Sequence, residues 1–527
     1  MLVTRVNAHY LRPKRVDPDY YRPEFLDDER RLLARKHRQL GQLGRFFVGP
    51  FGSLLPSNIY LSSGVPLFRV GNVGSMEVLM DDMAHLDPAV HDELRASEVL
   101  PGDLLIVKAS VGEKICKVPH WIPRANITQH IIAVRPNDSA DIDYVAAFLF
   151  GTYGRRQLDR RSLGSIIQYL GVIDARDILC PDVAREAQAY IGDKVRQAEH
   201  LRERARRLEG EAGNLCHIPQ IDAALLVSPE KTSRVGLADM RHRLDSKYYG
   251  ARAIAVEKAC WACGARSLLS LGPNVSNGFE HREFCANGRR YITVSEVSSG
   301  RLVADDAPCI SRDVEVPSKA CLSSRCVLVV RTGSIGLAVK VHEEDVDACI
   351  SSHLIRLEFC DEALAAAVGA FLSTSVGDVL LRKISYGGVQ PQVGQEEVMA
   401  LPVPESICGL GDVFLGLHNA REGCLRGSRR LTVSAKSLVE ALIDGKVSES
   451  DLVEAQKALE AGNRDPDRAL LSRLTPKGID VTGEQPLFPD LDKLYELLDE
   501  TEGEVSRGPA YARASAERAA ESTEKEL

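Results

Sequence analysis

An internal duplication constrains this chain more than any other feature, because a repeated sequence folds as repeated structure. Residues 15–21, RVDPDYY, match residues 243–249, RLDSKYY, which lie 228 positions later. Each phrase leads into about 20 helix-compatible residues that end in Leu-Gly, at residues 43–44 and, again 228 positions on, at residues 271–272. The sequence therefore predicts two copies of one folding unit.

Weaker similarities continue in the same order, at offsets that fall from about 228 to about 221, as small loop deletions would cause. Short β-branched runs in them predict strands, and the AAFL and GAFL phrases predict helices. We expect each copy to be a mixed α/β unit of about 170 residues. The matched phrases are PLFRVGNVG (66–74) with RYITVSEVSSG (290–300), GDLLIVKASVG (102–112) with RCVLVVRTGSIG (325–336), NITQHIIAVR (126–135) with CISSHLIRLE (349–358), YVAAFLFGTYGRRQL (144–158) with AVGAFLSTSVGDVLL (367–381), GSIIQYLGV (164–172) with GGVQPQVGQ (387–395), and ARDILCPDV (175–183) with EEVMALPVPE (396–405).

Each copy ends in a long helical stretch whose apolar residues alternate at spacings of three and four. Over three or more heptads this spacing favours a coiled-coil stripe. The alternative is that each helix packs only on its own domain. The stripe residues are Ala187, Ile191, Val195, Ala198, Leu201, Ala205, Leu208 and Ala212 in the first copy, and Leu410, Val413, Leu417, Ala420, Cys424, Ser428, Leu431, Ala435, Leu438 and Leu442 in the second.

The net charge of −8 is unevenly placed. Residues 444–527 hold 20 acidic and 11 basic side chains. The other 443 residues therefore hold 54 acidic and 55 basic side chains and are nearly neutral overall. The duplicated part can therefore carry local basic faces. We expect a cytoplasmic protein with no membrane partner, because no apolar run approaches the 18 or so residues of a membrane span and residues 1–15 lack the apolar core of a signal peptide. Scattered cysteines in apolar stretches are typical of reduced, buried thiols.

The order in which these phrases occur is characteristic of one protein family, because it is found twice with a long helix after each copy. The phrases are FRVGNVG, PGDLLIVKASVG, the helix that starts at a tyrosine and contains AAFL, and the Gly-Ser or Gly-Gly segment with a following Gln before a closing Pro phrase. Over roughly residues 10–445 the chain resembles the specificity subunits of type I restriction-modification systems. The resemblance implies a non-catalytic subunit with two tandem target-recognition domains, separated by a pair of long coiled-coil helices. Each domain would recognise one half of a split site on double-stranded DNA. DNA methyltransferase subunits are the implied partners, and a nuclease or translocase subunit stays an open alternative.

This resemblance gives the following predicted organisation of the 527 residues. An N-terminal helical segment covers 1–43, target-recognition domain 1 covers 44–183, spacer helix 1 covers 184–215, a linker with the repeated helical segment covers 216–271, target-recognition domain 2 covers 272–406, spacer helix 2 covers 407–445, and an acidic C-terminal extension with a disordered tail covers 446–527.

Two departures from the family pattern affect these expectations. The second copy has RCVLVV where Gly-Asp is usual, so the resemblance does not determine the geometry of the loop there. The extension after Leu442 is unlike an ordinary specificity subunit. It is more similar to the specificity-like subunits of phage-defence systems that pair a methyltransferase with several accessory proteins. A spacer of about 30 residues spans about 45 Å as a helix, a little over one turn of duplex.

Contacts to DNA require donors and acceptors that reach base edges, and cations for the phosphates. Arginine and glutamine are the informative types, for guanine and adenine respectively. For each candidate the alternative is a solvated surface residue, and His130 and His353 have the further alternative of a structural role. The candidates are Arg69, Asn72, Lys108, Ser110, Lys114, Asn126, Gln129, Arg155, Arg156 and Gln168 in the first copy, and Thr293, Glu296, Arg331, Thr332, Ser334, His353, Lys383, Tyr386, Gln390 and Gln392 in the second.

Motifs for catalysis are missing from the sequence: it has no Asn-Pro-Pro-Tyr or Asp-Pro-Pro-Tyr phrase and no phosphate-binding G-x-x-x-x-G-K-[ST] loop. We therefore expect neither catalytic residues nor a cofactor. Cys260, Cys263, His281 and Cys285 have zinc-like spacing, but the first two fall in the repeated helix, where the first copy has no cysteine, which favours core cysteines. The competing functional hypothesis is a protein-interaction scaffold of a defence complex without base-specific recognition, which the acidic extension favours.

Overall fold

The computed structural model describes residues 11, 15, 17–109, 112–164, 168–228, 235–236, 240, 243, 245–298, 300–388 and 390–507. It has a mixed α/β architecture, which confirms the predicted fold class. The chain divides into two compact units. One unit is Met1–Glu203 with Leu425–Leu527, and the other is Arg204–Cys424.

The first copy of the repeat and its closing helix have these elements in chain order: α1 (Pro23–Leu33), β1 (His37–Gln39), β2 (Gly44–Val48), β3 (Val65–Phe68), β4 (Ala84–Leu86), α2 (Pro88–Glu93), β5 (Glu98–Val99), β6 (Leu104–Val107), β7 (Ile115–Lys117), β8 (Ala125–Ile127), β9 (Ile131–Pro136), α3 (Ile142–Phe150), α4 (Thr152–Arg161), α5 (Val172–Arg176), β10 (Leu179–Pro181) and α6 (Arg185–Leu215).

The second copy follows with α7 (Pro219–Leu225), α8 (Ala251–Ala262), β11 (Ala265–Ser267), β12 (Asn274–Asn277), β13 (Arg289–Ile292), β14 (Val297–Ser298), β15 (Arg301–Leu302), β16 (Cys309–Ile310), β17 (Cys326–Val330), β18 (Ala338–Lys340), β19 (Cys349–Ile350), β20 (Leu354–Glu358), α9 (Glu362–Leu372), α10 (Ser375–Ile384), α11 (Gln395–Met399), β21 (Pro402–Pro404), α12 (Glu405–Cys408) and α13 (Gly411–Asp444). The C-terminal extension contains α14 (Glu449–Glu460), α15 (Asp465–Ser472), β22 (Leu474–Thr475), β23 (Gly478–Ile479) and α16 (Leu491–Arg507).

The two copies share one sheet topology. The main sheet has strand order β2-β9-β6-β7 in the first copy and β12-β20-β17-β18 in the second. A second sheet pairs β3 in parallel with β8 in the first copy, and β13 in parallel with β19 in the second. A short antiparallel ladder then joins the start and the end of each copy, β1 with β10 and β11 with β21. The main sheet and the closing ladder match strand for strand, which shows that the duplication seen in the sequence is a duplication of fold. The second sheets differ at one edge, because β5 pairs with β8 in the first copy whereas the second copy has a separate pair, β14 with β15.

The central strands are buried on both faces, which is why they have continuous apolar sequences. Every residue of β6 (LLIV) and of β17 (CVLVV) is buried. In the second copy α9, apolar after Glu362, packs on β17 and β18. Among the described helices none alone is long and apolar enough to cross a membrane, and α9 and α10 pass that test only as a pair bent by 82°.

The repeated RVDPDYY phrase closes the end of a helix. The guanidinium of Arg15 donates hydrogen bonds to the carbonyls of Arg161 and Arg160, at 3.1 and 2.7 Å. These carbonyls end α4 and have no partner within the helix. The ring of Tyr20 lies 4.4 Å from the Arg15 guanidinium carbon, and the Tyr21 hydroxyl donates to the Arg15 carbonyl at 2.6 Å. The phrase therefore fixes α4 by cation–π and hydrogen-bond contacts.

The RLDSKYY phrase makes the same contacts in the second copy. Arg243 donates to the carbonyls of Ile384 and Ser385, at the end of α10, over 2.6 and 2.8 Å. Its guanidinium carbon is 4.7 Å from the centre of the Tyr248 ring, and Tyr249 donates to the Arg243 carbonyl at 2.8 Å. The same arginine and tyrosines thus recur because, in both copies, the carbonyls at the end of the equivalent helix need hydrogen-bond donors.

The second copy keeps its strand register although it lacks the Gly-Asp pair. In the first copy the buried Asp103 accepts from Arg135 on the neighbouring strand at 2.7 Å. In the second copy the charges are exchanged. Glu358 occupies the place of that arginine and forms an ion pair with Arg325 at 3.3 Å. The Ser323 hydroxyl also donates a hydrogen bond to Glu358, at 2.9 Å. A salt bridge of opposite polarity therefore holds the same strand pair.

The long helices bury most of their predicted stripes. Within the first unit, Arg202 of α6 donates to Thr432 of α13 at 2.8 Å. Gly427 permits a close approach there, since a Cβ at that position would lie 3.0 Å from the Leu201 side chain. One stripe residue was predicted wrongly: Val413 is 45% exposed, and its neighbour Phe414 is buried instead.

The C-terminal extension packs on α6 through a buried carboxylate. Asp467 of α15 accepts hydrogen bonds from Tyr190 at 2.6 Å, from Lys194 at 2.7 Å and from Tyr495 of α16 at 2.5 Å. Asp467 and Lys194 are each 1% exposed. Burial alone would raise the pKa of Asp467, but the ammonium of Lys194 and the three hydrogen bonds outweigh it and hold the pKa below its usual value. Of the predicted disordered tail, residues 508–527 lie outside the described residues.

We expect Asp467→Asn to lower the free energy of unfolding by about 3–5 kcal/mol, because the buried Lys194 ammonium loses its counterion. Since the folded-state pKa of Asp467 lies below the ordinary value of about 3.9, this stabilisation is present at neutral pH and is lost as the pH falls through the folded-state pKa. Urea unfolding at pH 7 measures the effect. The exposed Asp465→Asn on the same helix is the control, and an equal loss in both variants would contradict the assignment.

Candidate nucleic-acid interface

Three loops of the first copy meet at one backbone junction. They are the segment after β6, the β8–β9 turn and the segment after α4. The Lys108 amide donates to the His130 carbonyl at 2.8 Å, and the Leu170 amide donates to the Lys108 carbonyl at 2.8 Å. Leu163 and Tyr169 exchange two further backbone bonds, at 3.0 and 2.7 Å. We call this set of contacts the first loop junction.

The second copy builds the same junction from different residues. The Arg331 amide donates to the His353 carbonyl at 2.8 Å, and the Val393 amide donates to the Arg331 carbonyl at 2.9 Å. Tyr386 and Gln392 exchange two backbone bonds of 2.8 Å. This second loop junction therefore presents other side chains on an equivalent backbone.

The side chains at the first loop junction combine a cation, an aromatic ring and hydrogen-bonding groups. The ammonium of Lys108 lies 4.7 Å from the centre of the Tyr169 ring, and the Tyr169 hydroxyl is 3.3 Å from His130 Nδ1. The Gln129 amide nitrogen is 3.2 Å from the other nitrogen of that imidazole, and Gln129 Oε1 is buried with no hydrogen-bond partner among the described atoms. Ammonium groups contact phosphate and amides contact base edges.

The second loop junction is more open. Arg331 donates to the Ser352 carbonyl at 3.2 Å, the His353 side chain is exposed, and Tyr386 is 43% exposed. Gln392 is half-buried. Four further predicted residues lie exposed on the loops of the two junctions, and Ser110 lies outside the described residues. The four are Lys114, Gln168, Ser334 and Gln390.

Three predicted arginines of the first copy are half-exposed and form ion pairs. Arg155 contacts Glu113, on the loop after β6, at 2.7 Å, and Arg69 contacts Asp82 at 2.9 Å. Arg156 contacts Asp28 at 3.2 Å, where burial raises the pKa of the carboxyl group against the effect of the arginine. Exchange of the pairs of Arg155 and Arg69 for phosphate contacts costs little, because exposed ion pairs contribute at most about 1 kcal/mol. Asp28 is buried, so Arg156 is less free to leave its partner.

Asn72 and Glu296 have structural roles in place of the base contacts expected from the sequence. Asn72 is 1% exposed, and its Oδ1 accepts from the Arg69 amide at 3.0 Å. Glu296, 7% exposed, accepts from the Thr293 amide at 2.6 Å and from the Thr293 hydroxyl at 2.8 Å. Both side chains close the helical turn that follows an equivalent strand, β3 or β13. Thr293 therefore acts as a cap as well.

Lys383 and Thr332 are also buried, at 3% and 6% exposed. The Lys383 ammonium lies 3.5 Å from the centre of the Tyr248 ring and 3.2 Å from Glu257. It takes the place of Arg160 in the first copy, whose guanidinium carbon is 4.2 Å from the centre of the Tyr20 ring. Lys383 thus supports the helix-end contacts in place of the predicted DNA contact.

Asn126 is likewise buried, with no exposed surface. Its Oδ1 accepts from the Ser97 hydroxyl at 2.6 Å, and its amide nitrogen donates to the Leu94 carbonyl at 3.2 Å. These bonds join β8 to the turn before β5. The side chain has no route to a base edge in this arrangement.

Sequence reasoning missed Tyr169 and the exposed phenylalanines Phe51 and Phe284. Tyr169 stands opposite Gln392 in the aligned QYL and PQV phrases, so alignment of the two copies could have included it with Gln392. Phe51 and Phe284 are 81% and 53% exposed and follow β2 and β12 respectively. Nothing in the surrounding sequence distinguishes them from core phenylalanines.

The zinc-like cysteines do not come together as a ligand set. Cys260 is buried in the core of the second copy, on α8, whereas the exposed Cys285 lies in a loop and its thiol donates to the Asn287 carbonyl at 3.1 Å. Among the described residues, no group of three or more His, Cys, Asp or Glu side chains is arranged to hold a metal ion.

We expect Asn126→Ala to lower the free energy of unfolding by about 1–3 kcal/mol, because the buried Ile127 amide loses its bond to Asn126 Oδ1 and the Ser97 hydroxyl keeps only its bond to the Leu94 carbonyl. Gln168→Ala, at an exposed position, should change it by less than about 0.5 kcal/mol. Denaturant titration of both variants provides the comparison. Unaltered stability of Asn126→Ala would mean that this side chain is free to contact a ligand.

Neither a protein-family model nor a curated protein sequence matches the chain. Solved structures do. The S subunit of the type I restriction-modification system from M. genitalium is 13% identical, with a TM-score of 0.40 over 77% of this chain and 95% of that one.

Two further structures align over similar lengths. The HsdS subunit from Thermoanaerobacter tengcongensis is 14% identical, with a TM-score of 0.25 over 78% of this chain and 97% of that one. A chain from a study of complex assembly and conformational transition of the type I restriction-modification system is 12% identical, with a TM-score of 0.27 over 78% and 98%. The names of these structures are those of the family that the sequence phrases resemble, and their sequence identities to this chain are 12–14%.

Proposed function

We propose that this chain is a non-catalytic DNA-specificity subunit of a restriction-modification or anti-phage defence system. Each loop junction contacts one half of a bipartite target on double-stranded DNA, and a partner DNA methyltransferase acts there, in the cytoplasm. The observation that carries the proposal is the repetition of one junction of three loops, with Lys108 at its centre in the first copy and Arg331 in the second.

The chemistry of the two junctions differs, which suits a target with two different halves. The first offers the Lys108 ammonium, an aromatic ring and Gln129, whereas the second offers the Arg331 guanidinium with the glutamines Gln390 and Gln392. Arginine pairs with the O6 and N7 edge of guanine and glutamine with the N6 and N7 edge of adenine. A shared backbone with exchanged side chains allows each copy to recognise its own short sequence.

The remaining parts of the chain fit the same proposal. Domains at residues 44–183 and 272–406 would recognise DNA, and the spacer helices at 184–215 and 407–445 would set their separation and bind the methyltransferase. No catalytic residue or cofactor is required of this chain, since a partner supplies the methyl transfer. A nuclease or translocase subunit, where the system includes one, would dock on the same assembly.

A protein-interaction scaffold without base recognition is the second candidate. It is favoured by the C-terminal extension, which the family pattern lacks and which packs on α6 through Asp467. Replacement of residues 44–183 by the corresponding domain of a related subunit separates the two functions. A changed methylation sequence supports recognition, and an unchanged one supports the scaffold.

We expect Lys108→Ala and Arg331→Ala to weaken binding of the methyltransferase complex to its target by about 5- to 150-fold, the equivalent of about 1–3 kcal/mol for a lost base contact. Each should relax sequence preference in one half-site only. Where the residue contacts a phosphate, the slope of log affinity against log salt concentration should also fall by about one, because one counterion fewer is released on binding. Footprinting over a salt series measures both.

Lys457→Ala, an exposed lysine of the extension, is the control and should bind as the unaltered chain does. Protection that is uniform along the DNA, or loss at both half-sites from either single variant, would contradict the assignment of one half-site to each copy.

A further inference from the structure

We propose that Cys285 and Cys309 of the second unit form a reversible disulfide when the chain meets hydrogen peroxide, and that this bond ties the loop between β12 and β13 to β16. Cys285 lies in that loop and is exposed, whereas Cys309 begins β16 and is half-buried. Both are free thiols in the structure. Neither residue belongs to a loop junction, so the inference goes beyond the proposed function.

The two cysteines face each other across an antiparallel backbone bridge. The Cys285 amide donates to the Cys309 carbonyl at 2.8 Å, and the Cys285 sulfur lies 3.6 Å from the same oxygen. Directly opposite residues of antiparallel strands have Cα atoms about 4.5–5.5 Å apart, within the range of about 4.4–6.8 Å that a disulfide spans. Rotation of the side chains, with a slight approach of the loop to the strand, therefore brings the two sulfur atoms within bonding distance.

The first copy has the equivalent backbone bridge without cysteine. There Leu61, in the loop after β2, and His85 of β4 exchange two backbone bonds, at 2.9 and 3.1 Å. The bridge between loop and strand therefore does not depend on thiols. The presence of cysteine on both sides of the bridge in the second copy is explained by the covalent bond that the two can form.

A second pair of cysteines in the same copy provides a contrast. Cys321 and Cys349 also face each other across an antiparallel bridge. The equivalent residues of the first copy are Glu98 and Asn126. Cys349 has no exposed surface, and burial raises the pKa of its thiol to about 12. Because the thiolate is the form that reacts, and because this sulfur is shielded from solvent, we expect the exposed Cys285 to be oxidised first.

The reaction balances with one molecule of hydrogen peroxide as the oxidant. The Cys285 thiolate attacks a peroxide oxygen and breaks the O–O bond, which gives a sulfenic acid and a hydroxide that takes up the proton lost by the thiol. The Cys309 sulfur then attacks the sulfenic sulfur, and the sulfenic oxygen leaves with the Cys309 proton as water. The two thiols lose two protons and two electrons, and the peroxide becomes two water molecules.

The bond would restrain a loop that lies beside the second loop junction. The Phe279 amide, at the start of this loop, donates to the Ile350 carbonyl at 3.2 Å, and the Phe279 carbonyl accepts from the Ser352 amide at 3.0 Å. The Ser352 carbonyl in turn accepts from Arg331 of the junction. A covalent tie at Cys285 removes conformational freedom from the loop that makes these contacts. In a reducing compartment such as the cytoplasm, disulfides are transient and serve catalysis or redox sensing.

Peptide mapping of the full-length chain tests the site. The chain is treated with hydrogen peroxide, free thiols are alkylated, and the digest is analysed by mass spectrometry without reductant. We expect a linked peptide pair that holds Cys285 and Cys309, lighter by two hydrogen atoms than the separate peptides, and its disappearance after dithiothreitol. Cys285→Ser should leave Cys309 open to alkylation, because serine can still donate to the Asn287 carbonyl but has no thiol. The matched control Cys360→Ser, which removes the other exposed cysteine, should form the bond as the unaltered chain does.

Hydrogen exchange measures the restraint itself. Amide exchange in residues 278–288 should slow in the oxidised chain and recover after dithiothreitol, whereas Cys285→Ser should exchange at one rate before and after peroxide. The proposal is refuted if Cys285 and Cys309 stay open to alkylation, if Cys285 ends as a sulfinic acid with no linked peptide, or if the bond joins Cys321 to Cys349 or two separate chains instead. Equal exchange in the oxidised and reduced chains would refute the tie between loop and strand.

Discussion

The pairing of β6 with β9, and of β17 with β20, is the interaction on which the proposed interface depends. Each pair is an antiparallel ladder whose central strand, β6 or β17, is fully buried, so its register is specified by apolar contacts on both faces of that strand. The ladder continues by one backbone bond beyond the strands, from Lys108 to His130 and from Arg331 to His353. A slip of one residue in either ladder would turn every one of these side chains to the opposite face.

The phrase that reveals the duplication is connected to the same interface. Arg15 and Arg243 bond to the last carbonyls of α4 and α10, and the segments that leave those helices supply the third loop of each junction. A residue some 150 positions away from the loop thus determines where the loop begins. This connection explains why each copy needs its own N-terminal phrase ahead of the sheet, and why the repeat extends back to residue 15 instead of beginning at the first strand.

The sequence predicted the duplicated α/β unit, its strands and its closing helices, because apolar periodicity and repeated phrases survive in every element. It did not separate buried polar residues from exposed ones. Asn72, Asn126 and Glu296 have the chemistry of base contacts, but in the structure Asn72 and Glu296 cap turns and Asn126 joins β8 to the turn before β5. Arg69-x-x-Asn72 and Thr293-x-x-Glu296 share capping-box spacing, so comparison of the two copies could have identified these two caps. Asn126 offered no such signal.

Part of the acidity of the extension, which favoured a scaffold, is paired within the extension itself. Its carboxylates pair with its own cations, as Arg464 with Asp499, Arg468 with Asp492, Arg473 with Asp480 and Lys477 with Glu484. Asp467, its most buried acid, is balanced by Lys194 of α6. The nine acids that exceed the cations of the extension are largely screened by salt beyond the Debye length of about 8 Å. A net charge of −8 on the chain is therefore compatible with cationic loop junctions in the duplicated part, and DNA recognition and the packed acidic extension can belong to one molecule.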